Sequence, residues 1–240
     1  MELGYWGIKG VVEPIRWLIA HLGLEVKEYN PASAEEWFGT KKQSLGLDFP
    51  NLPYLIDGDV KISESIAIPY YLVHKAGKPE LLGKDLKDQA KIREIEGVFL
   101  DIRKEIHQIV FAPENHKAAL LKALEPNSAI STKLANLEKL LGNKEFFLGY
   151  LTYADLLFAY HSEFLWAVAD SLGEKDPIAT RHPALDKHCY KIHDLPKIKE
   201  RVAQSMSVPF MPPPMLKFHL ETLGEVFEKN NVGKAPAEAK

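Results

Sequence analysis

Cysteine is almost missing from this chain. Cys189 stands alone among 240 residues, so no intrachain disulfide can form and a reducing compartment is the expected setting. An excess of charge of one sign is missing too. Thirty Lys and Arg face 33 Asp and Glu for a net charge of −3, and no basic stripe follows the chain, which sets nucleic acid aside as a partner. No apolar run approaches the roughly 18 residues that a membrane-spanning helix needs. The opening MELGYWGIKG lacks the long apolar core of a secretion signal, so a cytoplasmic protein without membrane contact is expected. GYWGIKG holds three glycines, but not at the G-x-G-x-x-G spacing of a phosphate-binding turn. His182, His188, Cys189 and His193 fit no standard zinc pattern, so no metal is expected. No serine or cysteine nucleophile stands out. What is present is the composition of a globular protein, 46% hydrophobic and 26% charged, long enough for two domains.

The first part of the chain alternates in character. ELGYWGI reads as a strand, and EPIRWLIAHLGL as a helix between Pro14 and Gly23. EVKEY is a second strand. SAEEWFGTKKQ is helical, with acids first and lysines last, as the helix dipole favours. Tyr54–Ile56 and Val60–Ile62 form two strands about the tight-turn pair Asp57-Gly58. SESIAIPYYLVHKAG closes the unit as a helix that Pro69 is expected to kink. The order βαβαββα, with Pro53 at the entrance to the third strand, is the thioredoxin-like pattern. We assign it to residues 1–82, followed by a linker at 83–90.

Residues 91–230 read as an all-helical domain. Ile92, Ile95, Phe99, Ile102, Ile106 and Ile109 recur at three- and four-residue steps, one apolar stripe. YADLLFAYHSEFLWAVADSL is apolar nearly all round, the mark of a central helix, and Thr152 and Asp155 precede it at capping-box spacing. LPKIKERVAQS is a further short helix, MPPP forces an extended segment, and KFHLETLGEVFEKN can form a last helix. Residues 231–240, small and polar, are expected to be a disordered tail.

Three places could carry chemistry. Tyr5 lies on the first strand, which in a thioredoxin-like fold ends close to the residue before Pro53. A phenol there serves best as a hydrogen-bond donor to an anion, although a strand tyrosine is more commonly packing. A cis bond at Leu52–Pro53 would turn the Leu52 backbone outward, free to pair with an extended peptide ligand. A trans proline on an edge strand fits the bare sequence equally well. Glu64 and Ser65 stand at a helix start, where backbone N–H groups and the dipole favour an anion. Ordinary N-capping explains that pair as well.

Taken together, LGYW-IKG, LGLDFPNLPYLIDG, KISESIAI and L-Y-ADLL resemble the cytosolic glutathione transferases from about residue 2 to residue 220. The mu class is the most similar, on the strength of LGLDFPNLPYLIDG. The resemblance implies an enzyme that ionises bound glutathione and conjugates the thiolate to hydrophobic electrophiles, as in detoxification. Glutathione is then a co-substrate, and no cofactor is needed. Tyr5 takes the place of the tyrosine that donates a hydrogen bond to the sulfur. Leu52, before Pro53, pairs its backbone with the cysteinyl part, and Ser65 holds the γ-glutamyl carboxylate beside Glu64. Trp6, Trp37 and Lys42 meet the glycyl end, although one extra residue follows Trp37 and Lys41 could replace Lys42. Asn51 lies beside the ligand, and Asp101 reaches the γ-glutamyl ammonium of the second subunit of a homodimer. Phe49 matches the aromatic key inserted into that partner. Leu100, Phe111 and Phe210 outline an apolar acceptor site.

The chain also departs from the mu pattern. Glu64 replaces a glutamine, Pro69 is an added proline, and Phe111 replaces a second tyrosine that assists epoxide opening. Two further readings share the fold: a carrier or structural protein that binds without turnover, and a glutathione-dependent isomerase.

Overall fold

A computed structural model describes residues 1–212 and 215–230. Among these, the elements run β1 (Glu2–Gly4), α1 (Glu13–Leu22), β2 (Lys27–Tyr29), α2 (Ala34–Glu36), a π-helical turn (Trp37–Lys41), α3 (Lys42–Ser44), β3 (Tyr54–Asp57), β4 (Val60–Ser63) and α4 (Ile68–Lys75). A 3-10 turn (Pro79–Leu82) leads to α5 (Leu86–Val110), α6 (His116–Ala123), α7 (Ala129–Leu141) and α8 (Tyr153–Ser171). The last helices are α9 (Pro177–Arg181), α10 (Pro183–His193), α11 (Pro196–Gln204) and α12 (Leu223–Lys229). No helix among the described residues is long and apolar enough to cross a membrane.

The sheet order is β2-β1-β3-β4, with β1 parallel to β2 and the other pairs antiparallel. This is the thioredoxin-like arrangement read from the sequence, followed by an all-helical half. Gly23 closes α1 with φ +66, a conformation that costs glycine nothing. Gly58 makes the β3–β4 turn. One core joins the two halves: Leu3, Val12, Ile15 and Trp17 pack into the same cluster as the α5 stripe and α8. The stripe from Ile92 to Ile109 is buried throughout, and Thr152 with Asp155 forms the reciprocal capping box at the head of α8.

Three expectations change. Pro69 does not kink a helix, because α4 begins at Ile68 and its first turn needs no N–H from residue 69. The linker expected at 83–90 is mostly helix, since Asp85 caps α5 through Asp88 N–H at 2.9 Å and the helix begins at Leu86. The last helix is short, capped by Thr222 and Glu225, and it lays Phe227 on Trp166 of α8. The tail at 231–240 lies outside the described residues.

Candidate active site

Strand β1 delivers Tyr5 to the interdomain cleft. Tyr5 N–H donates to the Tyr29 carbonyl at 3.0 Å, and Asn30 Nδ2 donates to the Tyr5 carbonyl at 2.9 Å. The loop then folds back over the ring, and Val11 N–H donates to Tyr5 Oη at 3.3 Å. That return passes through Gly10, at φ +47, where a Cβ would stand 2.5 Å from Tyr5 Oη. Only glycine meets both conditions. Burial, the largest influence, pushes the Tyr5 phenol above its ordinary pKa, while Val11 N–H and the guanidinium groups of Arg103 and Arg16 pull the other way. The net rise keeps the phenol protonated at neutral pH. With Val11 on one lone pair, its O–H is a donor in search of an acceptor.

The Leu52–Pro53 bond is cis, and β3 begins only at Tyr54. Leu52 takes no backbone hydrogen bond outside the strand ladders among the described residues. Glu64 sits at φ +78, a left-handed conformation that costs a residue with a side chain about 1–3 kcal/mol and recurs at binding sites. Its carbonyl accepts from Ala67 and Ile68 N–H at 3.0 and 3.2 Å, which shapes the turn carrying Ser65. Ser65 borders a cavity of about 40 Å³ shared with Leu100 and Arg103.

Other expected site residues fall in different surroundings. Trp6 is half-buried, with Phe38 tilted over it at 6.5 Å and Lys42 Nζ 5.5 Å from the Phe38 ring. Trp37 is instead 2% exposed and stacked on Tyr54 at 6.1 Å, inside a small core with Leu45 and Leu47. The π-helical turn accounts for the extra residue read after Trp37, because one added residue in an α-helix is accommodated as i→i+5 bonding. The same turn sends Lys41 over Tyr29 at 4.5 Å and leaves Lys42 on the Trp6 side. Asn51 and Asp101 are exposed, and Lys133 Nζ lies 3.5 Å from the Asp101 carboxylate. Phe49 is 76% exposed.

A cavity of about 200 Å³ opens directly beside Tyr5. Its walls are apolar apart from Tyr5, Arg103, His107 and Tyr160. The residues expected to outline it do not. Leu100 faces the smaller cavity next to Ser65. Phe111 follows the end of α5, largely exposed, with its edge toward His107. Phe210 is buried, stacked on Phe164 at 5.4 Å, with Lys9 Nζ 4.6 Å from its ring. The wall comes instead from Met211, Pro212 and Met215. Phe210 packs inward, and its neighbour Met211 lines the cavity. Burial, with Arg103 adding to it, lowers His107 to about 4, so that imidazole is neutral at pH 7. Arg103 and His107 escaped the sequence reading because each resembles a solvated helix charge. Their signal was position, on the flank of the α5 stripe at steps of four.

The histidines near Cys189 each find a separate acid. His182 lies 2.8 Å from Glu138, His188 3.3 Å from Asp155 and His193 2.9 Å from Glu163. Cys189 is buried, and its burial raises the thiol far above the ordinary range.

Residues 1–74 match the glutathione S-transferase N-terminal domain, and residues 100–204 match the C-terminal domain. A class-mu 26 kDa glutathione S-transferase isozyme of Fasciola hepatica is 35% identical over 204 residues, covering 82% of this chain and 86% of that protein. A class-mu 26 kDa isozyme of Schistosoma mansoni is 35% identical over 208 residues, covering 85% and 88%. The crystal structure of the glutathione S-transferase Blo t 8 superposes with a TM-score of 0.78 at 29% identity, covering 91% of this chain and 99% of that one. With its sheet order, its cis proline ahead of β3 and its two matched domains, the chain belongs to the glutathione S-transferase family, alongside mu-class relatives.

Proposed function

We propose that this chain is a glutathione transferase in which Tyr5 holds the glutathione sulfur as thiolate. The observation that carries the proposal is a buried, neutral phenol, fixed by Val11 and Gly10, at the head of an apolar cavity. A free thiol has a pKa of about 8.5, so little is ionised at neutral pH, and a donor aimed at sulfur lowers that value. The thiolate then attacks an electrophilic carbon in the cavity. Tyr5 stabilises charge; it is not a base.

The rest of the tripeptide follows from the groups around Tyr5. Leu52's unpaired backbone suits the cysteinyl residue. Ser65 and the N–H groups of the turn before α4 suit the γ-glutamyl carboxylate, with Glu64 and the partner's Asp101 on the ammonium. Trp6, Lys42 and Asn51 suit the glycyl end, and Trp37 supports them from the core. A homodimer supplies that second acid. Exposed Phe49 fits the groove between α5 and α7 lined by Ile95, Val98, Leu137 and Leu140, so each copy offers a key and a lock.

The purified protein should be retained on immobilised glutathione and should conjugate chlorodinitrobenzene. Tight glutathione binding with no turnover across a panel of electrophiles would replace the enzyme with a carrier. Tyr5→Phe should keep glutathione affinity and lose about a hundredfold or more in kcat at neutral pH, as removal of one oxyanion donor does. Its rate should climb with pH toward the free-thiol pKa. A variant with the wild-type pH profile would show that Tyr5 does not set the thiol's ionisation.

A further inference from the structure

Among the described residues, Arg103 is the only lysine or arginine that lines the cavity beside Tyr5, and it lines the smaller cavity next to Ser65 as well. Among the described residues its guanidinium makes no ion pair and no hydrogen bond. Glu96 is the acid that shares the smaller cavity, and it is held by Arg93 at 2.9 Å. His107, one turn further along α5, is neutral and adds no charge. A half-buried guanidinium facing apolar walls is costly to leave alone, and its planar fork fits a carboxylate with two parallel bonds. Glutathione's own carboxylates are assigned elsewhere, to Ser65 and to Lys42. The remaining occupant of the cavity is the second substrate.

Resting on the transferase reading above, we propose that Arg103 is a specificity-determining residue that selects hydrophobic electrophiles carrying a carboxylate. The acceptor's apolar body would lie against Ile8, Phe164 and Met211, with its reactive carbon toward Tyr5 and its acid on Arg103. In a displacement, the sulfur–carbon bond forms as the carbon–chlorine bond breaks, and chloride leaves with the electron pair. The carboxylate is unchanged and serves only as the handle.

The test is a matched pair, a chlorodinitrobenzoate and its methyl ester, each rate divided by its uncatalysed rate with glutathione. The wild-type chain should favour the acid. Arg103→Gln should lose about tenfold to a hundredfold more in kcat/KM on the acid than on the ester, the worth of a charge-assisted hydrogen bond. Arg103→Lys should restore part of the preference, and the KM for glutathione should not move. Equal losses on acid and ester, or a raised glutathione KM, would overturn the assignment. Should the wild type turn over neither compound, the transferase reading fails, and the assignment is decided by calorimetry with unreactive dinitrobenzoate. Wild type should bind it more tightly than Arg103→Gln; equal affinity would overturn the proposal.

Discussion

At Gly10 a single hydrogen atom occupies the place where any other residue would press on the Tyr5 hydroxyl. The loop must bend back within a few residues of the strand for Val11 to reach that oxygen, and φ +47 at Gly10 is how it does so. Gly10→Ala therefore meets two penalties at once, a left-handed backbone and an overlap with the ring. We expect a loss of about 1–3 kcal/mol in stability, read by denaturant unfolding, together with a fall in kcat as the phenol is displaced. Wild-type stability and rate in that variant would mean that the loop can slide off the ring. Tyr5, Leu52 and Ser65 were open to nomination as site residues from the sequence, because each stands in an ordered motif. Gly10 was not, since its reason is a neighbour in space. Phe111 and Phe210, proposed for the acceptor wall on hydrophobicity, lie away from the cavity lining for a similar cause: one follows a helix end and is exposed, and the other is buried in the core.

Among elements, the most legible was α5. Its three- and four-residue steps predicted a face, and that face is buried from Ile92 to Ile109. Strands β3 and β4 were also legible, because the turn pair Asp57-Gly58 joins them. The π-helical turn was not, because one inserted residue shows in sequence only as a misalignment. Nor was the clasp on the loop after β1. Lys9 and Gly10 N–H donate to the carbonyls of Pro209 and Phe210 at 2.8 and 3.0 Å. Beneath them, Lys9 Nζ meets Glu163 at 3.4 Å with both side chains buried. Burial alone would raise the Glu163 carboxyl, yet Lys9 and His193 hold it below its ordinary range. Lys9→Met leaves that carboxylate short of a partner and should cost about 3–5 kcal/mol in urea unfolding. Adding Glu163→Leu should recover a large part of the loss. If the two losses simply add, the pair is not coupled.

At the scale of the molecule, one large core joins the two halves, but the surface is unfinished. Phe49 stands exposed, and the groove between α5 and α7 lies open. Phe49→Ala should weaken the proposed dimer by about 30-fold, the scale of a hot-spot side chain, as read by sedimentation velocity. Glutathione affinity should fall with it, since the partner's Asp101 is withdrawn. An intact dimer in that variant would place the key elsewhere. The clasp from Pro209 and Phe210 also has a consequence in time. A ribosome brings out Tyr5 long before Pro209 and Phe210, whose carbonyls fix its loop. A nascent chain thus holds its tyrosine long before the loop around it is secured. Translation that halts before residue 209 leaves the loop after β1 without the two carbonyls that clasp it.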